Sequence, residues 1–221
     1  MYRNQTVART RESALATNKV LRNTYTLLSM TMLFSAAMAA VSVVAESGPG
    51  TYLLSVIGAF GLIWLVLPRT ANSSAGLGVV FAITGLLGFG LGGVLNQYLT
   101  MSNGPQLIMT ALGGTGVIFL GLSAYALTTR RDFSFLGGML FVGMLVILVA
   151  ALANIFLAIP AMTLAISSII IVLMSGFILY DTSRIIHGGE TNYIMVTVSL
   201  YLSIYNIFIN LLAILGIMSD D

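Results

Sequence analysis

The stretch Phe133–Leu157, FSFLGGMLFVGMLVILVAALANIFL, runs for 25 residues without one charged side chain. About 20 apolar residues suffice for a helix to cross the hydrocarbon core of a bilayer. Its apolar residues are continuous rather than alternating, which argues against a strand of a membrane barrel. Working outward, comparable runs lie near 24–45, 50–67, 74–98, 106–128, 162–183 and 193–216. Together they make seven spans, of which 50–67 is short and reads as shallow or bent. Only 7% of the residues are charged and 58% are hydrophobic, against about 25% charged in soluble domains. The expected fold is therefore all-α: a polytopic membrane protein whose seven transmembrane helices occupy 24–218, preceded by a polar tail, 1–23. The connections are too short to hold a soluble domain.

The charges set the expected orientation. All nine Lys and Arg residues fall in the tail or in alternate loops. Arg3, Arg9, Arg11, Lys19 and Arg22 stand in the tail. Arg69 lies between helices 2 and 3, Arg130 and Arg131 between 4 and 5, and Arg184 beside the 6–7 loop. The loops Glu46–Gly50, Thr100–Pro105 and Ala158–Ala161 and the end Asp220–Asp221 carry none. Basic residues concentrate on the cytoplasmic side, so the N-terminus is expected there and the C-terminus in the periplasm. The net charge of +2 is a topology signal and points to no nucleic-acid partner. The first apolar run is too long for a cleaved signal peptide and is expected to be retained. Residues 1–18 read as disordered or loosely helical. Polar residues Asn23 and Thr24 suggest a cap where helix 1 enters the membrane, and Pro68 suggests the end of helix 2.

Chemistry-bearing residues are few. There is no cysteine, which removes disulfides, iron–sulfur centres and thiol catalysis. The one histidine, His187, sits in a glycine-flanked loop, as an ordinary loop residue or a pH sensor. No zinc motif, P-loop or dinucleotide fingerprint is present, and a membrane aspartyl protease would need two intramembrane acids. No catalytic, cofactor or metal site is expected. Asp181 is the one acid clearly within an apolar run. An acid there is a functional candidate, or else an interfacial partner of Arg184 three residues on. On helix 7, Ser199, Ser203, Asn206 and Asn210 follow at steps of 4, 3 and 4, which puts them on one face. Such a stripe belongs inside the bundle, as hydrogen-bonding glue between helices or as the lining of a narrow hydrated path. Tyr201 and Tyr205 flank it. Helices 3, 4 and 5 are rich in glycine, with Gly88 and Gly92 a small-xxx-small pair. These glycines suit close packing, or alternatively a broken-helix ion site.

Several segments carry a resemblance. They are IHGGETNYI at 186–194, SLYLSIYNIF at 199–208, KVLRNTY at 19–25 and SAYALTTRRDFSFLG at 123–137. The chain resembles the Bax inhibitor-1 family from about residue 19 to 216, especially its proteobacterial YccA-like branch. The resemblance implies seven helices with helix 7 central and six around it. It implies an inner-membrane partner of FtsH, the ATP-dependent membrane protease, serving both as its substrate and as a modulator that restrains its degradation of membrane proteins such as SecY. The tail, with Arg3, Arg9, Arg11 and Glu12, would be the part that the protease engages. Asp181, Arg184 and the polar face Ser199, Ser203, Asn206 and Asn210 would form the functional core. Other members of the family are pH-sensitive calcium leaks that use two aspartates, the second within Leu-Tyr-Leu-Asp. Asp181 matches the first, but Ser203 holds the second position here. A hydroxyl supplies less charge to Ca2+ than a carboxylate, so a calcium or cation leak is the alternative reading.

Overall fold

The computed structural model describes residues 2–48 and 50–219, with side chains at Leu15 and from Thr17 onward. Seven of its helices are long and apolar enough to cross a membrane. They are α1 (Tyr2–Val44, membrane-length part Thr17–Val44), α2 (Gly50–Thr70), α3 (Ala75–Leu99), α4 (Gly104–Thr129), α5 (Leu136–Leu157), α6 (Pro160–Ile186) and α7 (Tyr193–Ser219). There is no strand among the described residues.

Two helix ends differ from expectation. α1 does not start at a cap near Thr24 but is already helical at Tyr2. No glycine or proline occurs before Gly48, so nothing halts propagation once a turn has formed. Thr24 is buried within the helix. The side chains of Arg3, Arg9, Arg11 and Glu12 lie outside the described residues. α2 passes through Pro68 instead of ending there, by widening into a π-helical turn over Leu62–Val66. Proline lacks the N–H that its helix would use. The neighbouring carbonyls find other donors: the Arg69 guanidinium reaches the Leu65 carbonyl, and the Thr70 hydroxyl reaches that of Val66 at 2.9 Å. Elsewhere prolines fit the rule for first turns: Pro105 opens α4 and Pro160 opens α6. Asn154 joins α5 to α6 by accepting from the Ile159 amide (3.2 Å) and donating to Thr163 (2.8 Å).

Close packing is concentrated on α3. A Cβ on Gly88 would fall on the Ser35 carbonyl, one on Gly92 on the Ser42 side chain, and one on Gly90 within 2.6 Å of Ser55. The small residues thus let α1 and α2 approach both sides of α3, which stays continuously helical. Three of the α4 glycines behave differently: a Cβ on Gly113, Gly116 or Gly121 would meet nothing, while one on Gly114 would press on Leu211 of α7.

α7 packs against α1, α3, α4 and α6, while α2 packs on α3 and α5 on α6. In α7, 56% of the apolar window is buried, against 11% in α5. α5 exposes Phe141, Val146, Val149, Ile155 and Phe156, a surface that only lipid or a protein partner can solvate. Tyr201 of α7 ties three helices at mid-bundle. Its hydroxyl lies 2.6 Å from that of Ser35 on α1 and donates to the Thr84 carbonyl of α3 at 3.3 Å. Bonds between membrane helices average about 0.6 kcal/mol and reach about 1.7. Tyr201→Phe should therefore lower unfolding free energy by about 1 kcal/mol, read by SDS titration in mixed micelles. Ser35→Ala added to Tyr201→Phe should cost less than it does alone, because the bond has already gone.

The loops sort to two ends. At one, Asn192 donates to the Ala71 carbonyl (3.2 Å) and to Asn72 Oδ1 (2.9 Å), which joins the α6–α7 and α2–α3 loops. The α4–α5 loop bonds to Ser183 of α6 at the same end. Arg69, Arg130, Arg131 and Arg184 therefore stand at one pole. At the other pole Gly48 lies beside Gly93, and Tyr98 beside Gly216.

Candidate functional site

Asp181 lies in the last two turns of α6, near the basic pole, and is 5% exposed. The hydroxyl of Ser199, on the antiparallel α7, donates to its Oδ2 at 2.5 Å. The alternative pairing with Arg184 is not formed. Arg184 reaches forward to Glu190 (3.1 Å), with its guanidinium 5.3 Å from the Tyr180 ring centroid. Three residues carry the chain about 300° round a helix. Asp181 thus turns inward while the long arginine extends along apolar surface towards the aqueous end.

The polar face of α7 divides by role. Ser203 donates to the Ser199 carbonyl at 3.1 Å, Asn206 to Leu202 at 2.8 Å and Asn210 to Asn206 at 2.8 Å. Of the four, Ser199 alone bonds another helix, so the expectation of glue between helices holds at one position. The other three satisfy themselves on their own helix, as short polar side chains readily do. The interhelical bonds come instead from hydroxyls that the stripe did not single out. Besides Tyr201, Tyr205 donates to the Leu87 carbonyl (3.2 Å), and Tyr25 lies 3.3 Å from Thr182.

Ser199→Ala would leave Asp181 buried without that donor. An unsatisfied buried group costs about 1–3 kcal/mol, more when charged, whereas replacing both partners by apolar groups is close to neutral. The single variant should lose about 2 kcal/mol in SDS titration, and adding Asp181→Leu should recover most of it. Equal losses in the single and double variants would mean that this bond holds nothing.

Ser183 was not evident from sequence. It is fully buried, accepts from the Phe133 amide at 2.8 Å and lies 3.2 Å from the Arg131 carbonyl. It clasps the α4–α5 loop to the end of α6. His187 Nδ1 is 3.4 Å from its oxygen and 2.9 Å from its carbonyl. A buried serine so engaged is poorly placed as a nucleophile. In the same loop the Ser134 backbone N–H, at 2.9 Å, does most to hold Asp132 below the usual carboxylate range, and the His187 imidazole adds to it. α7 begins on Asn192, whose Oδ1 accepts from the Ile194 and Met195 amides, the geometry of an N-cap. Among the described residues no three His, Asp or Glu side chains converge as a metal ion would require.

A family model described as inhibitor of apoptosis-promoting Bax1 matches residues 17–220. The chain belongs to this family. The family match takes in all seven membrane-length helices. Within the Bax1-inhibitor family the chain is 54% identical over 211 residues to an Escherichia coli K12 protein named modulator of FtsH protease YccA, covering 96% of this chain and 95% of that one. In another Escherichia coli strain the relative with the same identity is named inner membrane protein YccA. A membrane protein of Vibrio cholerae is 50% identical, over 95% and 94% of the two chains. A protein of Pseudomonas aeruginosa is 47% identical, over 99% and 96%.

Proposed function

We propose that this chain is a non-enzymatic protein of the bacterial inner membrane that binds the protease FtsH and restrains it. The observation that carries this reading is the 54% identity, over nearly the full length of both chains, to a relative named for modulation of that protease. The topology that goes with it puts the N-terminus and the basic pole in the cytoplasm and the C-terminus in the periplasm. The placement of Arg69, Arg130, Arg131 and Arg184 at one pole supports it, because basic loops stay cytoplasmic.

On this reading residues 1–18, with Arg3, Arg9, Arg11 and Glu12, form the handle for an ATP-driven protease, which needs an end of the chain to grip. α7 is the central helix, and Asp181 with Ser199 locks α6 to it. Arg184 holds the α6–α7 loop through Glu190, whose Oε1 accepts from the Thr191 and Asn192 amides. A firmly bonded bundle attached to a grippable tail resists unfolding while it occupies the protease.

A calcium or proton leak stands second. Two close carboxylates share a proton and can sense mild pH changes. Here a serine hydroxyl faces Asp181, and Ser203 is bonded to its own helix. Co-purification from detergent tests the main reading. The full-length chain should recover FtsH well beyond an unrelated seven-helix protein at equal density, and equal recovery would count against it.

A further inference from the structure

The bundle is open on one side, between α1 and α4. Tyr25 and Phe119 touch there, with ring centroids 6.1 Å apart, and a cavity of about 600 Å3 lies along the same two helices. Its α1 wall includes Tyr25, Ser29, Ala36 and Ala40; Gly116 stands on the α4 wall and Phe208 of α7 on the floor. Ser29, Ala36 and Ala40 are exposed, and a Cβ on Gly116 would meet only open space. From Tyr25 to Val44 the groove extends about 28 Å at 1.5 Å per residue, close to the roughly 30 Å hydrocarbon thickness. An apolar recess this size in a bilayer is unfavourable empty, since its walls forfeit their dispersion contacts.

Charge distinguishes its two mouths. Arg22 precedes Tyr25 by three residues, Ser29 by seven, Ala36 by fourteen and Ala40 by eighteen, which places it on the groove face of α1. It is exposed, and the one ion pair among the described residues is Arg184–Glu190. Arg130 is also exposed, just past the end of α4 at the same pole. At the far mouth α1 gives way to the acidic Glu46, in a loop without Lys or Arg.

We propose that this groove binds one anionic phospholipid, with an acyl tail along the Ser29–Ala36–Ala40 face and the phosphate at Arg22. The lipid comes from the leaflet on the basic side, which is the cytoplasmic leaflet on the topology proposed above. A net-anionic headgroup suits the Arg22 mouth and is repelled at Glu46.

The test is native mass spectrometry of the full-length chain, released from micelles holding phosphatidylglycerol and phosphatidylcholine of identical tails in equal amounts. One retained lipid is expected, with phosphatidylglycerol preferred. Arg22→Gln should lower that preference about fivefold, the usual contribution of one basic residue at an anionic surface, and leave total retention unchanged. Ala36→Phe should remove the retained lipid of either kind. Gly116→Leu, on the opposite wall, should do the same and serves if the first variant fails to fold. Unchanged preference in Arg22→Gln, unchanged retention with the groove filled, or a co-purified polypeptide in place of lipid would overturn the proposal. None of these readouts depends on FtsH, so the lipid site and the protease reading stand or fall separately.

Discussion

Gly88→Leu is expected to lower unfolding free energy by about 3 kcal/mol, the upper end of what overpacking usually costs. The added Cβ would fall on the Ser35 carbonyl and within 2.6 Å of Ser35 Oγ. A carbonyl within a helix cannot swing aside, so α1 and α3 must separate. Separation also strains the Ser35–Tyr201 bond (2.6 Å), so the loss spreads to α7. Gly113→Leu, on α4, is the matched comparison, because a Cβ there meets nothing. It should change stability by less than about 0.5 kcal/mol, the usual range for substitutions away from packed features. SDS titration of both variants reads the difference directly. Similar losses in the two would mean that α1 and α3 are not packed as closely as described.

The largest functional effect is expected from the tail. Deleting residues 1–18 should leave the bundle folded, because the family match opens only at Thr17 and the first buried side chain of α1 among the described residues is Thr24. The truncated chain should then be degraded by FtsH far more slowly than the full chain, approaching a chain with no cytoplasmic end. Pulse–chase turnover in cells with and without the protease measures this, with SDS titration confirming the fold. Turnover at the normal rate would assign engagement to another part of the molecule.

The fold was legible because its determinants are long and local. Seven apolar runs, each flanked by loops with or without basic residues, need no knowledge of tertiary contacts. The errors came where a local signal competed with a continuing helix. Asn23 and Thr24 are cap-forming types, yet no breaker precedes Gly48 and α1 runs straight through them. Pro68 is a breaker, yet a π-helical turn and two side-chain donors absorb it. The site was legible in part. Asp181 was found from its isolation within an apolar run, and its partner Ser199 lies on the polar stripe. That Ser199 rather than Ser203 faces Asp181, and that Arg184 turns to Glu190, depends on the rotation of α6 against α7, which one sequence does not encode locally. Ser35 was invisible because a lone serine in an apolar run carries no periodic signal, and Ser183 because, between Thr182 and Arg184 near a helix end, it reads as one more solvated polar residue. The glycines of α3 and α4 look alike in sequence, but Gly85, Gly88, Gly90, Gly92 and Gly93 are covered by neighbouring elements while Gly113, Gly116 and Gly121 are open.

The most direct test of the central claim is FtsH degradation of a membrane substrate in proteoliposomes, with this protein or an unrelated seven-helix protein at equal density. Slower substrate turnover with this protein than with the unrelated one is the predicted result. Turnover equal in the two would contradict the modulator reading.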